Sequence, residues 1–355
     1  MGSESSEGGP RAHGRRLRVL FVCRKPLAGQ FSIERVFTDV ADAMPRDIDA
    51  RLVELPHESR GLVRRVRNLV FTARLRADVI HITGDVHYCA LSVRRGRCVL
   101  TVHDLVSMQR VRGPRRWMLA LLWYRLPVAW ASRVTVISES VRDALLRLVP
   151  GAAGKVTVVS NPVGPDFVSV RNAPGDVEGS RRVLQIGTGV NKNLARVASA
   201  LEGLDAHLHV VGRLTQEQQA QLDGLSVRYS HSADLTDEEL RDEYARSAVL
   251  AFVSTYEGFG LPIVEAQAMQ VPVVTSREQP MARVSGGAAV LVDPLDVASI
   301  RSGIALLLDD RQMRAELIAA GTKNCGRFSA DRVSSEYAQI YRSLATRDGR
   351  GRLWP

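Results

Sequence analysis

Glu257-Gly-Phe-Gly-Leu-Pro-Ile-Val-Glu265 carries a carboxylate at each end, two glycines near its start and a proline in its middle. It follows Val249-Leu-Ala-Phe-Val253, an apolar run short and branched enough to be a buried strand. Pro262 suits a first helical position, where its fixed φ is already right and its missing N–H costs nothing. Gly258 and Gly260 let the backbone approach a ligand closely or take positive φ. The expected unit is strand, glycine turn, helix N-terminus. Unpaired N–H groups and the positive end of the helix dipole make such a terminus a site for anions. Each carboxylate can accept two hydrogen bonds from a vicinal diol. A ligand with hydroxyls at both ends and phosphate between them, as in a nucleotide-sugar, has the matching form. Taken alone, the segment also reads as an ordinary βα turn with two solvated glutamates.

Outward from this stretch, strand-like and helix-like segments alternate. Residues 182–186, 207–211, 227–229, 249–253 and 271–275 read as strands, and 194–201, 215–222, 237–247 and 262–269 as helices. Residues 297–308, 311–324 and 331–344 close the chain as helices. The first half repeats the scheme, with strands expected at 18–23, 51–55, 78–82, 98–102, 133–137 and 155–159 and helices at 32–43 and 61–76. Such alternation argues for parallel, doubly wound sheets. Residues 161–180 hold three prolines among glycines and serines and form the best linker in the chain. The expected layout is a flexible tail at 1–16, a Rossmann-like domain at 17–165, a linker at 166–180 and a second Rossmann-like domain at 181–330. The last helix, about 331–345, is free to pack back on the first domain. Ligands of doubly wound sheets lie beyond the carboxyl ends of the strands, so two facing domains imply a site in the cleft.

At 355 residues the chain suits two domains of ordinary size. An apolar fraction of 45% allows sizeable cores and excludes a disordered chain. Cys23, Cys89, Cys98 and Cys325 form no C-x-x-C pair, so neither a zinc site nor a disulfide framework is expected. A reduced, cytoplasmic setting fits. Residues 1–16 lack the apolar core of a signal peptide. The most apolar helical segment, 117–132, is interrupted by Arg125 and Pro127 and is too short to span a bilayer. Charge is uneven: residues 1–165 carry 27 Lys and Arg against 14 Asp and Glu, and the remainder 21 against 24. An excess confined to one half suits an anionic acceptor or lipid surface, although an arginine-rich but indifferent surface would look the same. No nucleic-acid recognition motif accompanies it.

Gly187-Thr-Gly-Val-Asn-Lys-Asn193 follows the first strand of the second half. A glycine turn ahead of a helix, with a lysine inside it, suits a diphosphate. The spacing is not G-x-G-x-x-G, and Lys192 is followed by asparagine, so the dinucleotide and P-loop readings are weak. Lys25-Pro-Leu-Ala-Gly-Gln30 offers one glycine, Gly29, in the first βα turn. His81-Ile-Thr-Gly-Asp-Val-His-Tyr88 and Thr101-Val-His-Asp104 put histidines and carboxylates at the ends of adjacent strands. One histidine after a strand is commonly structural; two clusters on neighbouring strands point toward a site. His81 and His87 have no third ligand on their element, so no metal site is expected. Asp47-Ile-Asp49 has the form of a metal-binding DxD but precedes a strand, and reads as surface.

Together these residues resemble the GT-B glycosyltransferases, in particular the retaining glycosyltransferase family 4 (group 1). The segment 257–265 resembles the family's E-x7-E motif, and 187–193 resembles the loop whose lysine contacts the donor diphosphate. Residues 25–35 are similar to its N-terminal glycine loop, and the likeness runs from about residue 18 to 345. The resemblance implies an α/β GT-B fold, two doubly wound Rossmann-like domains facing across a cleft. It implies a metal-independent, retaining hexosyltransferase without cofactor, moving a sugar from a nucleotide diphosphate-sugar donor to a hydroxyl acceptor in polysaccharide, glycolipid or other glycoconjugate biosynthesis. On that likeness Glu265 holds the ribose diol, and Glu257 binds sugar hydroxyls with help from Gly258 and Phe259. Lys192 and the N–H groups of Gly260 and Leu261 stabilise charge on the leaving diphosphate. Gly187, Thr188 and Gly29 border the phosphates. His103 stands for the family's cleft histidine with Asp104 as its orienter, and His81, Asp85 and His87 face the acceptor. The leaving phosphate takes the acceptor proton, so no side-chain base is needed. Two positions depart from the pattern: Thr188, where many relatives have arginine, and Ala282-Arg283, where most have Pro-Glu. A non-catalytic nucleotide-sugar-binding protein remains an alternative, as does a retaining glycosidase, whose carboxylates lie about 5 Å apart. The acceptor is expected to be lipid-linked or anionic, met at the inner face of a membrane. Arginines between Arg64 and Arg76, with Trp117, Trp123, Tyr124 and Trp130, are the expected contact patch.

Overall fold

The structure is a computed structural model that describes residues 15–25, 32–106, 108, 111–168 and 181–347. Two six-stranded sheets organise it. The first holds β1 (Leu17–Cys23), β2 (Ile48–Glu54), β3 (Val79–Ile82), β4 (Cys98–Val102), β5 (Arg133–Val136) and β6 (Val156–Val158), in the order β2-β1-β3-β4-β5-β6. The second holds β7 (Arg182–Ile186), β8 (His207–Val211), β9 (Arg228–Ser232), β10 (Val249–Phe252), β11 (Val273–Ser276) and β12 (Val290–Val292), in the order β12-β11-β10-β7-β8-β9. Every pairing is parallel. Central strands such as β3, β4, β10 and β11 are buried along their whole length, which is why they read as continuous apolar runs rather than alternating ones. β12 was not expected: three residues, one of them exposed, leave no such run.

The closing helix, Ala330–Arg347, lies against the first sheet. Its Val333, Tyr337 and Tyr341 are buried with Val19, Phe21 and Phe37, and Arg342 pairs with Asp47 at 2.7 Å. Asp47, read as surface, thus serves to pin this helix. The helix at 139–148 was also unforeseen. It spans Glu139–Leu148, capped by Ser138, whose Oγ accepts the Val141 N–H.

The segment expected to break at Arg125 and Pro127 instead runs on helically through Pro114–Leu119, a wide turn at Ala120–Arg125 and Leu126–Trp130. Pro127 has no N–H to give the carbonyl of Trp123, four residues before it. His87 Nδ1 donates to that carbonyl at 3.0 Å. A histidine from another element therefore supplies the bond the proline cannot make. Among the described residues no helix is long and apolar enough to cross a membrane.

Candidate functional site

In the second sheet the strand order reverses between β7 and β10, and the crevice beyond the carboxyl ends of such a pair is where doubly wound sheets bind ligands. The loop after β7 carries Lys192 and the loop after β10 carries Glu257. From the first sheet, the residues after β4 and β5 reach the same place. A cavity of about 500 Å³ results, lined by His103 and Asp104 on one side and by Lys192, Glu257, Gly258, Phe259, Gly260, Leu261 and Glu265 on the other.

Local sequence explains how each group gets there. Gly187 has φ +90°, and a Cβ built on it would lie 2.9 Å from Lys192 Cε. The glycine therefore clears the path of the lysine stem. Lys192 Nζ sits 2.6 Å from Glu257 Oε1 and 4.5 Å from the centre of the Phe252 ring. Asn191 Nδ2 donates to the same carboxylate oxygen at 3.2 Å. Gly260, at φ +101°, is the N-cap of Leu261–Ala268 with Pro262 in its first turn, as the sequence suggests. Glu265 follows on that helix and is buried.

Glu265 is held from both halves of the chain. Arg35, on the helix Ser32–Asp42, pairs with its Oε1, and the Tyr244 hydroxyl donates to its Oε2 at 2.8 Å. Arg35 also pairs with Asp237 at 2.7 Å and lies 5.3 Å from the Phe167 ring centre. Burial works against the Arg35 charge, but Glu265 and Asp237 outweigh it and push the guanidinium pKa up. Burial and the neighbouring carboxylate push the Tyr244 phenol well above its usual range, so it stays a donor. A carboxylate offers about four acceptor positions. Arg35 and Tyr244 fix its orientation and leave capacity for a diol.

His103 is nearly buried, with Nε2 2.6 Å from the Thr83 carbonyl. A carbonyl only accepts, so Nε2 is the donor of this bond. This corrects the role given to Asp104. The Thr83 carbonyl orients the ring, while Asp104 Oδ1 accepts the Val106 N–H at 2.9 Å and shapes its own loop.

Two more expectations on the acceptor side are corrected. His81 is wholly buried between Tyr341, whose hydroxyl lies 2.8 Å from Nδ1, and Thr101, whose Oγ1 lies 2.7 Å from Nε2. Burial and the nearby His103 push its pKa down to about 3, so it is a neutral core residue. His87, also buried, is spent on Trp123. Asp85 is about half exposed and 3.7 Å from the Arg24 guanidinium. Thr188 turns toward the second half's own loops, donating to the Arg213 carbonyl at 2.8 Å. Gly29 lies outside the described residues. Tyr244 was missed, and Arg35, Asn191 and Ser138, though they lie in or beside stretches that resemble the family, were given no role; nothing in their spacing ties them to 257–265.

The two loops that close the cavity touch. Ser138 Oγ donates to the Gly258 carbonyl at 2.7 Å, and a Cβ on Gly258 would lie 2.5 Å from the His103 carbonyl oxygen. Because that neighbour is backbone, Gly258→Ala must move one loop off the other. We expect kcat/KM to fall at least about tenfold with an unchanged far-UV spectrum; steady-state kinetics and circular dichroism check both. The thiols are unsuited to covalent chemistry: burial pushes Cys23 up to about 11 and Cys89 and Cys98 up to about 12. Among the described residues no three His, Cys, Asp or Glu side chains group as a metal site needs.

Comparison with known proteins adds independent findings. The family described as "Glycosyltransferase Family 4" matches residues 12–167, and the one described as "Glycosyl transferases group 1" matches residues 169–324. The Mycobacterium leprae phosphatidyl-myo-inositol mannosyltransferase is 25% identical, over 95% of this chain and 90% of its own. The Escherichia coli O-antigen chain mannosyltransferase B is 36% identical over 30% of this chain and only 28% of its own length. Among solved structures, that of Anabaena HepE in complex with UDP and glucose superposes with a TM-score of 0.70 at 18% identity, over 92% of this chain and 100% of the other. At that identity the likeness speaks for the fold.

Proposed function

The chain belongs to family 4 (group 1) of the glycosyltransferases, and from that premise we propose that it moves a mannosyl or glucosyl residue from a nucleoside diphosphate to a hydroxyl of a lipid-linked or otherwise anionic acceptor. The carrying observation is the single cavity that brings Lys192 and Glu257, the buried Glu265 and His103 together from both halves. Residues 181–330 take the donor and residues 17–165 the acceptor. Glu265, fixed by Arg35 and Tyr244, binds the ribose diol. Lys192 and the N-terminus of Leu261–Ala268 face the diphosphate and neutralise the charge that grows on it as the glycosidic bond breaks. Glu257 binds the sugar hydroxyls beside His103, whose ring is oriented by the Thr83 carbonyl. The departing phosphate oxygen receives the acceptor proton, and configuration is retained. The names of the relatives favour mannose, and the ligands of the structural neighbour favour glucose. A thermal-shift screen of UDP-, GDP-, ADP- and CDP-hexoses tests this, because stabilisation follows affinity. One donor should raise Tm and support transfer; stabilisation by none of them would sink the reading.

The acceptor surface has a physical candidate. Leu62, Val66 and Val70 fall on one face of the helix Leu62–Arg74 and are exposed, Leu62 at 77%, among Arg64, Arg65 and Arg67. Trp117 (61% exposed), Met118, Leu122 and Leu126 do the same beside Arg115, Arg116 and Arg125. The Arg65 guanidinium lies 4.8 Å from the Trp123 ring centre and joins the two patches. Of the aromatics expected here, only Trp117 stands out into solvent; Tyr124 is buried against His87. Basic and apolar side chains mixed on one face suit an anionic bilayer. Vesicles containing phosphatidylglycerol should bind in a salt-sensitive way, and Leu62→Glu/Val66→Glu should weaken binding at least about tenfold. Equal binding to neutral vesicles, or no loss in the double variant, would refute the docking face.

A further inference from the structure

A second cavity, of about 580 Å³, opens at the other end of the first sheet. Arg18 is the second residue of β1, Asp78 immediately precedes β3 and Arg97 immediately precedes β4, and all three line it. These strands are parallel, and His103, at the donor cleft, directly follows β4. The length of β4 alone separates the two sites by about 16 Å. Doubly wound sheets perform their chemistry at carboxyl ends, so a cavity at the amino ends is not part of the transfer site.

Its lining is strongly one-signed. Five arginines, Arg15, Arg18, Arg76, Arg94 and Arg97, face it with one carboxylate, Asp78. Asp78 is already engaged: Oδ1 is 3.3 Å from Arg15 Nη2, and Oδ2 accepts the Arg18 N–H at 2.8 Å. The Arg18 and Arg76 side chains have no carboxylate partner among the described residues. Arg97 Nη1 donates to the Ala77 carbonyl at 3.2 Å, which fixes that guanidinium at the wall. Trp130, its Nε1 bonded to the Val93 carbonyl at 2.8 Å, supplies a rigid side.

We propose that this cavity binds a multiply charged phosphate group at a site separate from the donor cleft. Five arginines and one engaged carboxylate give this wall a net positive charge, and a group with several phosphate oxygens can accept paired hydrogen bonds from planar guanidinium groups such as those of Arg18 and Arg76. Ala73 lies in the last turn of the helix Leu62–Arg74, whose exposed face is the proposed bilayer contact, and Arg76 follows just after its end. The phosphate is therefore carried either by a lipid headgroup or by a free pyrophosphate-type anion. Neither source depends on which sugar the enzyme transfers.

Titration calorimetry of the full chain with inorganic pyrophosphate, and co-sedimentation with phosphatidylcholine vesicles containing phosphatidic acid, test the site together. Calorimetry of the wild type should show two pyrophosphate sites. Lys192→Ala should remove the one in the cleft, and Arg76→Ala/Arg94→Ala, both surface positions, should weaken the other at least tenfold. If the arginine variant loses only pyrophosphate, the source is a free anion; if it also loses phosphatidic acid vesicles at least tenfold, the source is a headgroup. Unchanged binding of both probes overturns the proposal. So does an equal loss on Arg228→Ala/Arg246→Ala, a remote exposed pair, since that would mean diffuse charge alone. Leu62→Glu/Val66→Glu leaves the cavity intact and should retain both pyrophosphate sites, which separates this proposal from the docking face.

Discussion

Lys192→Ala is expected to lower kcat/KM by about 10²–10³-fold, the cost of removing one charge-stabilising donor from a preorganised site. The lysine is more than a surface cation. Its Nζ lies 2.6 Å from Glu257 with only 22% of the side chain exposed, and Gly187 leaves room for its stem. In the proposed donor pose, removing it withdraws a charge from the diphosphate, and it leaves Glu257, 14% exposed, without its cation. The unpaired carboxylate then repels the donor it should bind. Lys192→Arg should recover little, because the broader guanidinium does not fit the passage cleared by Gly187 and delivers its charge in a different geometry. Steady-state kinetics with the donor found by thermal shift decide it; a loss below about threefold would remove Lys192 from the mechanism.

Arg35→Met should cost about 3–5 kcal/mol of stability, the usual penalty for stripping the partner from a buried charge. The Glu265 side chain is 3% exposed and that of Arg35 20%, so solvent cannot replace the lost cation. Tyr244 would remain as its donor. Pairing Arg35→Met with Glu265→Gln should recover most of the loss, since the double change removes both charges. Urea titrations of the four proteins at pH 8 measure this. An Arg35→Met variant as stable as wild type at pH 8 would show that the pair is not a buried one in solution.

The sheets were legible in the sequence wherever strands are buried on both faces, as with Cys98–Val102 and Val249–Phe252, since continuous apolar runs leave little ambiguity. The glycine turn and Pro262 likewise announced the helix Leu261–Ala268, because their backbone preferences act locally. What could not be read depends on contacts distant along the chain. His81 looks like a site residue until Tyr341, 260 residues later, closes over it. His87 looks free until Pro127 leaves the Trp123 carbonyl without a donor. Arg35 closes the stretch 25–35 that resembles the family's glycine loop, but local sequence gives it no partner, and it meets Glu265 across 230 residues. Local spacing thus anticipated the strand, glycine turn and helix around 257–265, built from consecutive residues. It misassigned the acceptor side, where the same residue types serve packing.

The division of labour between Glu257 and Glu265 is open to one direct comparison. Titrate wild type, Glu257→Gln and Glu265→Gln with the nucleoside diphosphate alone, and measure turnover with the complete donor under saturation. Glu265→Gln should weaken nucleoside diphosphate binding by about tenfold or more, the worth of a charge-assisted hydrogen bond or two to the ribose, with kcat little changed. Glu257→Gln should leave that binding within about threefold and lower kcat by about 10²-fold, because the proposed pose puts its contacts on the transferred sugar. Equal effects of both changes on binding and turnover, or no effect of either, would contradict the assignment of one carboxylate to each end of the donor.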